Sequence, residues 1–125
     1  MTIQEAIDIV DEMKPNMMSR KLKVKYLNEI EQLIHGEIVM ENAHTEEEAE
    51  KPVYTDETDE ATALIVPDPY SMLYPYWVMT KIDMQNQEDE RYNVDRAHFE
   101  NAYNTMSDWW TRSRMPAQKA REFRI

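Results

Sequence analysis

The chain has 125 residues, enough for one domain with one modest core. Lys and Arg number 14 against 25 Asp and Glu, and the resulting charge of -11 repels nucleic acid and disfavours a DNA-binding domain. The absence of cysteine excludes disulfides, zinc ribbons and thiol catalysis, and a single glycine excludes a phosphate-cradling loop.

Leu, Ile, Val and Phe together make up less than a fifth of the residues. Ten Met, seven Tyr and three Trp compensate, so the expected core is built from thioethers and aromatics. No apolar run approaches the roughly 20 residues of a membrane span. The first residues lack a basic and then apolar leader, which predicts an intracellular protein.

Thr2 followed by Glu5 forms a capping box, and Ile3, Ile7 and Val10 recur at helical spacing. This predicts a first helix to about Glu12, ended by Lys14-Pro15-Asn16. Ser19 is the expected N-cap of a second helix, from Arg20 to Met40. Its apolar stripe reads Leu22, Tyr26, Ile30, Leu33, Ile34 and Ile38. Residues 41–60 lack periodicity and read as a long acidic loop.

After a short extended run, Ala63 to Val66, Asp68 as N-cap with Pro69 at the first helical position predicts a third helix to about Gln85. Pro75 inside it is expected to lose a hydrogen bond to the Ser71 carbonyl and to kink the helix. A fourth helix is expected from about Asn93 to Arg112, with Phe99, Ala102, Tyr103, Met106, Trp109 and Trp110 on one side. Met115-Pro116 stops it. The expected fold is all-α: a four-helix bundle-like protomer over residues 1–114, with an acidic loop at 41–60 between helices 2 and 3. Residues 115–125 are expected to form an extended basic C-terminal tail. The expected bundle core is Tyr26, Ile30, Trp77, Phe99, Tyr103 and Met106.

Charge is segregated along the chain. Residues 41–60 carry nine acids against Lys51, and residues 109–125 carry five bases against Glu122. Arg20, Lys21, Lys23 and Lys25 crowd the start of helix 2, where cations oppose the helix dipole by a few tenths of a kcal/mol each. An acidic partner, such as the acidic loop of a neighbouring copy, would relieve them. His35, His44 and His98 are not spaced as metal ligands. The acids Glu46, Glu47, Glu48, Asp56, Glu57, Asp59 and Glu60 have neither the EF-hand spacing nor a rigid frame for acid–base work. No catalytic residue, metal site or cofactor is expected, and the chain does not read as an enzyme.

The stretches Met1-Thr2-Ile3 with Glu5-Ala6, Val66-Pro67-Asp68-Pro69-Tyr70 with Tyr74 and Trp77, and Arg91-Tyr92-Asn93 carry a resemblance. So do Phe99, Ala102-Tyr103, Trp109-Trp110, Arg112 and Met115-Pro116. In these residues the sequence resembles the small head–tail connector (adaptor, or head-completion) proteins of tailed bacteriophages, in particular those of siphophages and of prophages in Gram-positive hosts. The likeness covers both ends and the second half, and fails over the acidic loop. Pro75 departs from it, standing where an aliphatic residue is expected.

The resemblance implies a virion protein of the phage neck, made in the host cytoplasm, that forms a ring of about a dozen copies on the portal protein. It implies a channel through which DNA passes without sequence-specific binding, a downstream stopper or tail-completion protein as partner, and no membrane. It also implies portal docking by the C-terminal segment, here Arg112, Arg114, Lys119, Arg121, Phe123 and Arg124. The acidic loop would line the channel or meet the neighbouring copy. The alternative from another class is an acidic DNA mimic that inhibits a host nuclease or defence protein, its carboxylates standing in for phosphates.

Overall fold

The computed structural model describes residues 1–42 and 50–114. The chain is all-α, and no strand occurs among the described residues. Four α-helices follow in order: α1 (Ile3–Met13), α2 (Arg20–Ile34), α3 (Leu73–Gln85) and α4 (Asp89–Ser113).

The start of α1 has its free N–H groups fully used. Thr2 Oγ1 accepts from the Glu5 N–H at 3.1 Å, as the capping box predicts. The Ile3 and Gln4 N–H groups donate to the Thr62 and Glu60 carbonyls, each at 3.0 Å, and the Leu64 N–H returns a bond to the Met1 carbonyl. The segment after the acidic stretch is thereby strapped to the first turn of α1, with one bridge between Thr2 and Ala63.

Ser19 caps α2 through the Leu22 N–H. The regular helix ends at Ile34, six residues earlier than the stripe predicts. A π-helical turn, His35–Val39, and a 3-10 turn, Met40–Asn42, carry the chain on. The stripe is also rotated from the expected one. Val24, Leu27, Ile30 and Ile34 are buried, whereas Leu33 is exposed and Leu22 and Tyr26 are only partly covered. Ile34, His35, Ile38 and Val39 are all buried across this turn.

Residues 52–56 then run back along α2 toward its N-terminus. Gln32 Nε2 donates to the Pro52 carbonyl, the Tyr54 N–H donates to Asn28 Oδ1 at 2.9 Å, and Asp56 reaches Arg20. The predicted start of the third helix at Asp68-Pro69 is not where it begins. The Asp68–Pro69 peptide is cis, Asp68 Oδ1 accepts from the Ser71 hydroxyl, and α3 starts at Leu73. Pro75 therefore lies in the first turn, where its missing N–H costs nothing. The Ser71 carbonyl takes the Tyr74 N–H instead. The expected kink has no cause.

Helix α3 is the central element, buried on almost every side and packed most extensively on α4, with α1 and α2 also against it. It closes in a Schellman turn: Gln87 N–H to the Met84 carbonyl at 3.2 Å, Glu88 N–H to the Asp83 carbonyl at 3.0 Å. Gln87 holds the left-handed position at φ 57°, which glycine would occupy without a Cβ penalty. Helix α4 begins at Asp89, four residues earlier than expected, because Asp89 and Glu90 suit a helix N-terminus. It buries Phe99, Met106 and Trp110.

The core is more aliphatic than composition suggests. Ile3, Ile7, Val10, Leu27, Ile30 and Ile34 line it with Tyr74, Trp77 and Phe99. Only Met18, Met79 and Met106 of the described methionines are buried, and Met13, Met17, Met40 and Met84 are exposed. Of the expected bundle core, Ile30, Trp77, Phe99 and Met106 are buried, and Tyr26 and Tyr103 pack at its edge.

One buried carboxylate joins three segments. Glu31 of α2 is fully enclosed. It accepts from the Tyr54 hydroxyl at 2.7 Å, from the Tyr74 hydroxyl, and from the Ile65 N–H at 2.9 Å. Tyr74 in turn accepts from the Val66 N–H at 3.0 Å. Glu31→Ala orphans three donors and is expected to cost at least about 3 kcal/mol; Tyr54→Phe, which removes one bond to a charged group, about 1.5–3 kcal/mol. Gln87→Gly is expected to gain about 0.5–1 kcal/mol. Urea unfolding of the three variants beside the parent checks each value.

Candidate interaction surfaces

The basic end of α4 rests on aromatic rings. Tyr70 stacks on Trp109 with ring centres 4.5 Å apart, and Trp109 meets Trp110 edge-on at 5.8 Å. The Arg114 guanidinium lies over the Trp110 ring at 3.6 Å from its centre. Arg112 is exposed and donates to the Asp108 carbonyl one turn back. Two of the six expected docking residues, Arg112 and Arg114, are thus placed at one helix end. Lys119, Arg121, Phe123 and Arg124 lie outside the described residues, as do Met115-Pro116.

The four bases at the start of α2 do not act as one patch. Lys23 is turned inward and pairs with Asp11 at 2.6 Å, so its role is to tie α2 to α1. Burial opposes ionisation of Asp11, but hydrogen bonds from Lys23 and Asn16 hold its carboxyl below the ordinary value. Arg20 stands 3.8 Å from Asp56 of the same chain. Lys21 and Lys25 stay exposed without an ion-pair partner among the described residues. With Leu22 and Tyr54 they line a groove of about 490 Å³.

Glu46, Glu47 and Glu48 lie outside the described residues, with His44. Asp56, Glu57, Asp59 and Glu60 are exposed. They sit where the segment crosses the N-termini of α1 and α2, as the Gln4–Glu60 hydrogen bond and the Arg20–Asp56 pair place them. Both helix ends carry partial positive charge, so this acidity stabilises the chain's own fold.

A second buried charge cluster was not anticipated. Lys14, at the end of α1, pairs with Asp83 of α3 and with Asp95 of α4 at 2.8 Å. Burial works against the Lys14 charge, but the bonds to Asp83 and Asp95 raise its pKa. Burial, then the adjacent Asp95, pushes Asp83 up to about 6 despite Lys14. Asp83 Oδ2 has no hydrogen-bond partner among the described residues. Burial also opposes Asp95, yet its bonds with Asp83 and Lys14 hold it below the ordinary value. The sequence signal was an acid within the almost wholly apolar α3.

A third feature is an aromatic groove of about 370 Å³ between α2 and α4, floored by Ile30, Trp77 and Phe99 and walled by Leu33 and Tyr103. The Tyr103 hydroxyl donates to Glu37 at 2.6 Å across it. Lys81 covers Trp77, 4.3 Å from the ring centre, and pairs with Glu29. His35 is buried, and His98 stacks on Tyr76 at 5.2 Å. Among the described residues no group of three metal-ligating side chains converges, and no helix is long and apolar enough to cross a membrane. No protein-family model, curated protein or solved structure matches the chain.

The raised Asp83 pKa has a definite sign. Between the unfolded value near 3.8 and about 6 the folded chain binds the extra proton, so this group's contribution to stability falls as pH rises through that window. Glu31, raised chiefly by burial against the hydrogen bonds from Tyr74, Ile65 and Tyr54, acts in the same direction. Asp83→Asn is expected to flatten the stability curve between about pH 4 and 6 relative to the parent. Thermal unfolding across that range measures it, and parallel curves would contradict the assignment.

Proposed function

We propose that the chain is the protomer of an adaptor ring in the neck of a tailed bacteriophage, a structural virion protein that joins the DNA-filled head to the tail. In this reading α1–α4 form the four-helix bundle-like protomer, and neighbouring copies close a ring of about a dozen on the portal. The ring extends the DNA channel and receives a stopper or tail-completion protein. DNA passes without specific contact, because a net charge of -11 repels phosphates.

The observation that supports it best is the separation of charge. In a strongly acidic chain, Arg112 and Arg114 end α4 beside Tyr70, Trp109 and Trp110, and Lys119, Arg121 and Arg124 follow in sequence. Aromatic and arginine side chains side by side are the usual anchors of a protein interface. An acidic and apolar portal groove is the complementary partner. The acidic segment's place at two helix N-termini gives it a role within the protomer, and a contact with DNA or a neighbour is not needed to account for Asp56 to Glu60.

Truncation after Arg112 is expected to leave a folded protein that no longer co-purifies with the portal protein of the same phage. Circular dichroism establishes folding and affinity capture reads binding. Undiminished capture by the folded truncated chain would refute docking through this end.

A further inference from the structure

Met17 is wholly exposed, at 101 % of its reference area, on a loop that is itself firmly held. Asn16 Nδ2 donates to Asp11 Oδ1 at 3.1 Å and to the Lys14 carbonyl at 2.9 Å, while Asn16 Oδ1 accepts from the Met18 N–H at 3.1 Å. A fixed loop that holds a large apolar side chain in water gains nothing from it within one copy. Further along, on the N-terminal half of α2, Lys21 and Lys25 are exposed and without an ion-pair partner among the described residues.

The opposite end of α2 offers the complement. The aromatic groove there presents exposed Leu33 at its wall and Trp77, Phe99 and Tyr103 as π surfaces. Exposed Glu37 and Glu100 stand at the rim, with Arg96 paired to Glu100 at 3.0 Å. An unbranched thioether fits such a groove and favours contact with aromatic rings.

We infer that Met17 of one copy inserts into the Leu33–Trp77–Phe99–Tyr103 groove of the next, with Lys21 and Lys25 set against Glu37 and Glu100. Knob and groove lie at opposite ends of α2, roughly 20 Å apart along its axis. A reciprocal antiparallel pair would close at two copies, whereas repeating the contact head-to-tail continues beyond two, as the ring reading requires. The contact is head-to-tail, the kind that closes a ring. This inference rests on the ring reading and names the surface that such a ring would use.

The chain has no cysteine, so engineered pairs can be read without background. Met17→Cys combined with Asn104→Cys, the latter an exposed residue on the groove, is expected to give a ladder of covalent multimers on mild oxidation of the concentrated protein. The ladder should vanish with reductant, and should be lost at high salt or when Lys21→Glu and Lys25→Glu are added. Met17→Cys with Val53→Cys, exposed but away from the groove, should give none. No ladder from the first pair, or an equal one from the control, overturns the inference. If native mass spectrometry of the unaltered chain shows multimers in that event, the ring reading stands and its contacts lie on another face. If the unaltered chain stays monomeric, the docking surface is rejected and the ring reading passes to particle stoichiometry.

Discussion

A carboxylate removed from water must be met by donors, and Glu31 is met by three from outside its own helix. Those donors fix the geometry of everything after α2. Tyr54 holds the return of the acidic segment, Ile65 holds the strap against α1, and Tyr74 holds the first turn of α3. Burial and the Glu31 charge push both phenol pKa values upward, so the hydroxyls remain donors throughout the physiological range. Without this bond set, residues 50–72 would have only a few apolar anchors, chiefly Tyr54, Leu64 and Val66.

The other buried charges repeat the same device between different elements. Lys23 and Asp11 join α2 to α1, and Lys14 joins α1 to both α3 and α4. Breaking such a pair leaves an uncompensated charge, which makes each junction sensitive to register. A chain with few large aliphatic residues thus specifies its packing through satisfied polar contacts as well as through apolar area. The excess negative charge is distributed by the same logic, with acids near the N-termini of α1, α2 and α4.

Much of this was legible in the sequence where the signal is local. Thr2 and Ser19 announced their caps, and Phe99, Met106 and Trp110 announced the buried face of α4. What failed depended on partners far away in sequence. The buried face of α2 was misread because Glu31 and Lys23 count as polar in a periodicity argument, and both are buried by distant partners. The start of α3 was misplaced because Asp68-Pro69 mimics an N-cap, while the Ser71 hydroxyl bond to Asp68 and the Tyr70 N–H bond to the Pro67 carbonyl make it a turn. The candidate surfaces show in the sequence only as bases and aromatics near predicted helix ends. That Lys23 turns inward, and that Trp77, Phe99 and Tyr103 share a groove, needed the tertiary structure.

The surface features that stand out among the described residues are an exposed methionine, two exposed lysines on α2, an aromatic groove with acidic rims, and an arginine-bearing helix end. In the ring reading proposed above, these are the surfaces assigned to two neighbours and a platform. The most direct measurement is quantitative mass spectrometry of gradient-purified phage particles from the source of the chain, with the portal protein as internal reference. An adaptor ring predicts this chain at about a dozen copies per particle, equal to the portal within error. Its absence from intact particles in which the portal is readily detected would contradict a neck role.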